Sequence, residues 1–139
     1  MPYTIHAGEC GNAANIEEAI GLGASRIGHG VAMAGDRLLQ AKVRAVGAGI
    51  ELCPTSNVQT KAIRSIGDLP LMEFLEAGLR VAVCTENRTV SGTNSTVELL
   101  RLSRSIGLDR ETYARIYQDS VEMAFAPASV KDWLMDQFA

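Results

Sequence analysis

His6 and Glu9 stand three residues apart in Tyr3-Thr4-Ile5-His6-Ala7-Gly8-Glu9, where a short apolar run gives way to polar residues. An imidazole can ligate a metal and a carboxylate can carry a proton, so a candidate ligand and a candidate acid/base group lie within four residues. Three other segments share this layout: Arg26-Ile27-Gly28-His29-Gly30, Ile50-Glu51-Leu52-Cys53-Pro54-Thr55-Ser56-Asn57, and Val81-Ala82-Val83-Cys84-Thr85-Glu86-Asn87-Arg88. Each is a short apolar run ending in polar, reactive side chains. An α/β barrel assembles its active site in this way, from the C-terminal ends of parallel strands.

The stretches between these runs carry helical spacing, and the alternation predicts parallel strands joined by crossover helices. Ile16, Ala19, Ile20 and Gly23 share one side of the first helix. Asp36 is the expected N-cap of a helix carrying Leu38, Leu39, Val43 and Val46, stopped near Gly47 and Gly49. Asp68 and Pro70 open the next, with Leu71, Phe74 and Leu75 inward and Gly78 at its end. A longer helix is predicted from Ser95 to Ile106, with Val97, Leu100 and Leu102 apolar and Gly107 ending it. Asp109 caps a helix containing Tyr113, Ile116 and Tyr117, and Pro127 starts a terminal one with Val130, Trp133, Leu134 and Phe138. The Met, Trp and Tyr residues sit at core spacing and are expected to pack.

At 139 residues the chain can bury the core of one domain, whereas a full barrel needs about 250 residues. Four strand-helix units fill this length, which is half a barrel. A net charge of −3 argues against a broad nucleic-acid footprint. No run approaches the roughly 20 apolar residues of a membrane span. Met1-Pro2 leads directly into a strand without a signal peptide, so a cytoplasmic protein is expected. Cys10, Cys53 and Cys84 are odd in number and far apart, which speaks against a disulfide framework and predicts small buried apolar residues. No glycine-rich nucleotide loop is present.

Taken together, the four strand-end motifs resemble the C-terminal half of the adenosine deaminase family, zinc-dependent (β/α)8-barrel hydrolases. The resemblance runs from about Tyr3 to the C-terminus. It implies an α/β fold: half of a TIM-type barrel, with four parallel strand-helix units and C-terminal helices, as a single domain over residues 1–139 whose N-terminal half is absent. His6 matches a zinc ligand. Glu9 matches the general acid/base that protonates the purine ring, and His29 the histidine that orients or deprotonates a zinc-bound water. Glu86 stands where the family has an aspartate ligand to zinc, and Asn87 where the next residue meets purine N7. The segment from Arg26 to Gly30 is closer to nucleoside deaminases than to adenine deaminases, which tend to carry Asp at the Gly28 position. Cys53 to Asn57 resembles a wall and hydrogen-bonding element; Ser56 and Asn57 read equally well as turn formers. The other zinc deaminase design, with its Pro-Cys-x-x-Cys signature, is missing.

Two departures matter. The family's first strand carries a His-x-His pair of zinc ligands, and this chain has only His6 and His29. Glu86 is longer than aspartate by one methylene, which displaces its carboxylate by about 1.5 Å, while metal sites tolerate about 0.2 Å in ligand distance. The expected function is zinc-dependent hydrolytic deamination of adenosine, or a related purine, to inosine and ammonia, by the C-terminal part of such an enzyme. The isolated chain is expected to be inactive or nearly so, and its partners to be a purine nucleoside and either the missing N-terminal half-barrel or a second copy. Truncation and a split gene fit Met1-Pro2 equally. The alternatives are a non-catalytic half-barrel scaffold that self-associates through open strand edges, and a deaminase of another purine such as adenine.

Overall fold

Four short strands line up in chain order in the computed structural model, which describes residues 1–138. They are β1 (Thr4–Ala7), β2 (Arg26–His29), β3 (Gly49–Leu52) and β4 (Val81–Val83), all parallel. Between them run α1 (Ala14–Gly21), α2 (Arg37–Val46), and the pair α3 (Pro54–Gln59) and α4 (Leu71–Glu76). Parallel neighbours in sequential order, each joined by a helical crossover, make half of an eight-stranded barrel. Four more helices follow: α5 (Arg88–Ser91), α6 (Ser95–Ile106), α7 (Arg110–Met123) and α8 (Ala128–Asp136).

The period-two alternation of a strand separates two faces here. Ile27, Ile50, Leu52 and Val81 are buried in the core with Ile16, Val43, Leu71 and Phe74 from the helices. The register puts Thr4 opposite Arg26, His6 opposite Gly28, and Gly28 opposite Glu51 on the other, more polar face. At the amino ends of the strands, Arg26 Nε donates to Thr4 Oγ1 at 3.0 Å and pairs with Glu51 at 3.0 Å, its guanidinium lying 3.6 Å from the Phe125 ring centre. That cluster closes the lower end of the sheet and leaves chemistry to the upper end.

Local signals explain the helix boundaries. Asp36 accepts the Leu39 amide and Asp109 the Thr112 amide, at 3.0 and 2.8 Å. Gly47 and Gly107 end α2 and α6 in the left-handed conformation, at φ 72 and 69°. Asp68 does not open α4: it ends a 3-10 turn, Ile66–Asp68, in a capping box with Ser65, and Pro70 is the α4 N-cap.

Several expected core positions face outward. Leu38 and Val46 on α2 are exposed, because Leu39 and Val43 form the stripe that meets the core. Leu100, Val130 and Trp133 are exposed too. The terminal helix is held on one side by α7, where Tyr117 donates to the Leu134 carbonyl at 2.7 Å and stacks on Phe138, so its other side stays outward. Cys10 is likewise exposed, against the expectation of three buried cysteines. No described helix is long and apolar enough to cross a membrane.

Candidate active site

All four motifs meet at the carboxyl ends of the strands. β1 delivers His6, and Gly8, at φ +71°, turns the chain so that Glu9 points back over the sheet. Only a residue without a Cβ adopts this backbone at no steric cost. β2 ends in two successive left-handed residues, His29 at φ 67° and Gly30 at φ 65°. The turn places the His29 ring in a buried position with Nε2 3.5 Å from Glu9 Oε2. The His6 and His29 rings meet edge to face, their centroids 4.9 Å apart. A Cβ at Gly28 would lie 2.7 Å from His6 Cδ2, so glycine leaves room for the imidazole to lie across β2.

β4 supplies the remaining groups. Glu86 is also left-handed, at φ 56°, a conformation rare for this residue type. One ligand atom each from His6, His29 and Glu86 lies within 4.8 Å of the others. The His6 imidazole and the Glu86 carboxylate are donors that zinc accepts, with the His29 ring beside them, so the residues present fit this metal, and the longer side chain of Glu86 does reach the cluster. Asn87 is the N-cap of α5: its Oδ1 accepts the Val90 amide at 3.0 Å, which leaves its amide hydrogens to donate elsewhere. Glu9, His29, Ser56, Glu86, Asn87 and Val90 help line one cleft of about 400 Å³. The structure thus brings Glu9, His29, His6, Glu86 and Asn87 to one end of the sheet.

The two inner cysteines stay protonated at neutral pH. Burial, reinforced by Glu51 and opposed by Arg26, pushes the Cys84 thiol up to about 11, and burial raises Cys53 further.

Asn57, left open by the sequence between turn former and ligand contact, and Glu98, which the sequence did not single out, also belong to the site's architecture. Asn57 is buried with its Oδ1 2.6 Å from His29 Nδ1, and Glu98 is a buried carboxylate on α6 that accepts the Thr55 amide at 2.9 Å. Neither has a local signal. An Asn in a Pro-Thr-Ser-Asn run looks like turn chemistry, and a Glu in the first turn of a helix looks like dipole compensation.

The model of the family described as Adenosine deaminase matches residues 1–139. The chain belongs to the adenosine deaminase family. It is 45% identical over 133 residues to an adenosine deaminase of Vibrio atlanticus (strain LGP32), an alignment covering 95% of this chain and 40% of that relative. Among solved structures it superposes on an adenine deaminase from Arthrobacter aurescens with a TM-score of 0.93 and 29% identity, over 99% of this chain and 42% of the other. An N6-methyl-AMP deaminase from Arabidopsis thaliana gives a TM-score of 0.86 and 27% identity, covering 99% and 40%. The family resemblance read from the four strand-end motifs therefore holds along the whole chain. The chain spans about 40% of the length of the curated relatives it matches.

Proposed function

We propose that this chain supplies the C-terminal half of a zinc-dependent site that hydrolyses adenosine, or a closely related purine, to inosine and ammonia. The observation that carries the reading is the meeting of His6, His29 and Glu86 within 4.8 Å, with Glu9 3.5 Å from His29. His6 and Glu86 hold the metal, together with ligands from a complementing half-barrel. When bound, zinc supplies a water acidic enough to attack near neutral pH.

The chain's own groups then divide the proton work. His29 Nε2 takes the proton that the attacking water releases, and burial of the ring keeps bulk water from competing. Glu9 delivers a proton to ring N1 as oxygen adds at C6. His29 then returns its proton to N6, the C6–N6 bond breaks with ammonia leaving, and the C6 hydroxyl gives its proton back to Glu9 as the carbonyl forms. Asn87 donates its free amide hydrogen to N7 and fixes the purine plane. The covering half joins at the edges of the sheet, since β1 pairs only with β2 and β4 only with β3 among the described residues. A second copy is the competing occupant of those edges. Three unpaired thiols suit a reducing cytoplasm.

Zinc per chain, measured after dialysis against metal-free buffer, and adenosine turnover in complex with the N-terminal half, test the reading together. One zinc and turnover that Glu9→Gln abolishes, with zinc retained, are expected. Turnover that persists in Glu9→Gln overturns the assignment of Glu9, and a complemented protein that binds no zinc overturns the whole reading.

A further inference from the structure

His29 is held from behind as well as from the cleft. Asn57 is fully buried, its Oδ1 lies 2.6 Å from His29 Nδ1, and its Nδ2 has no hydrogen-bond partner. A carbonyl oxygen only accepts, so this contact requires the proton on Nδ1 and leaves the Nε2 lone pair on the Glu9 side of the ring. The opposite amide orientation would offer an N–H to Nδ1 and force the other tautomer.

The backbone that carries Asn57 is fixed on every side. Its N–H donates to the Cys53 carbonyl at 2.8 Å, and its carbonyl accepts the Ile63 amide at 3.1 Å. Cys53, the N-cap of α3, has no side-chain oxygen to satisfy the first turn. Glu98 does this from another helix: Oε2 accepts the Thr55 amide at 2.9 Å, and Oε1 accepts the hydroxyls of Thr55, at 2.5 Å, and Thr93. A buried carboxylate thus caps α3 from outside, and the next turn of that helix presents Asn57 to His29.

We propose that Asn57, anchored by Glu98 through the first turn of α3, is a positioning residue that fixes His29 in the Nδ1–H tautomer and leaves Nε2 free to take a proton. The role of that nitrogen rests on the deaminase reading; the tautomer itself does not.

The test is the imidazole 15N spectrum of the chain at a pH where histidine is neutral. The sequence has two histidines, so His6 is an internal control. The native chain is expected to show a pyrrole-type Nδ1 and a pyridine-type Nε2 for His29. Asn57→Leu should convert it to the Nε2–H form that an unconstrained imidazole prefers, and Asn57→Asp, which keeps an oxygen acceptor, should restore Nδ1–H. An Nε2–H tautomer in the native chain, or a spectrum that Asn57→Leu leaves unchanged, overturns the proposal. Should Asn57→Leu fail to fold, the native and Asn57→Asp spectra decide, and an Nε2–H tautomer in either one overturns the proposal. In the complemented enzyme Asn57→Leu should lower kcat about 10- to 100-fold, with KM little changed. The spectrum needs neither metal nor substrate. An inactive protein with an Asn57-dependent tautomer therefore overturns only the deaminase reading, and an active one with Nε2–H overturns only this inference.

Discussion

Gly8 and Ile16 compete for the same space: a Cβ on Gly8 would lie 2.5 Å from Ile16 Cδ1, and Gly8 holds φ at +71°. The turn that aims Glu9 at His29 is therefore pressed directly onto the core. Gly8→Ala combines left-handed strain with overpacking and should cost about 2–4 kcal/mol. Urea unfolding measures this, and a loss below about 0.5 kcal/mol, the range of ordinary surface substitutions, would show that the turn is free to move.

Glu98 is the most demanding polar group in the core, because it satisfies a backbone amide and two hydroxyls at once. Glu98→Ala leaves those donors without an acceptor and should destabilise the chain by about 2–4 kcal/mol, with Glu98→Gln milder. Equal urea midpoints for the native chain and Glu98→Ala would contradict the capping role.

At the carboxyl end of the sheet, Glu86 reaches His6 and His29 from a left-handed backbone. Aspartate tolerates that conformation better and is shorter. Glu86→Asp is expected to leave stability unchanged or slightly higher and to tighten zinc about tenfold. Competition with a chelator reads the affinity; unchanged binding would remove Glu86 from the ligand set, and weaker binding would show that its extra length is needed to reach the metal.

The three thiols should separate by accessibility. Cys10 is exposed, whereas burial pushes Cys84 up to about 11 and Cys53 higher. At pH 8 a thiol reagent should modify one cysteine rapidly in the native protein and all three after unfolding. Fast modification of Cys84 would mean that the β4 end opens.

Asp119 gives a pH signature. Burial raises its carboxyl above the ordinary 3.8, although it accepts the Val81 amide at 3.0 Å. The folded state then holds a proton that the unfolded state has lost, so stability falls as pH rises from 3.8 to the folded value. Asp119→Asn keeps an acceptor for Val81 and should flatten that slope, with stability at pH 7 unchanged or higher. Urea midpoints at pH 4 and pH 7 check the sign.

Much of this was legible in the sequence. Apolar runs closing on His6, His29 and Glu86 announced strand ends, and Asp36, Gly47, Gly107 and Asp109 marked helix boundaries, because caps and periodicity are local properties of a few neighbouring residues. Family membership was readable from the same motifs. What local pattern could not say was which apolar positions have a neighbour. Leu38 and Trp133 fit a helical stripe and still face outward, since burial depends on what packs from elsewhere in the chain.

The site shows the same division. Sequence determined which groups stand at the strand ends. Tertiary structure decided that the backbone at Glu86 turns left-handed to bring its carboxylate to the histidines, and that Asn57 and Glu98, far apart along the chain, support His29 from behind. Hydrogen bonds between distant segments follow from how helices settle on the sheet, and no single segment encodes that geometry.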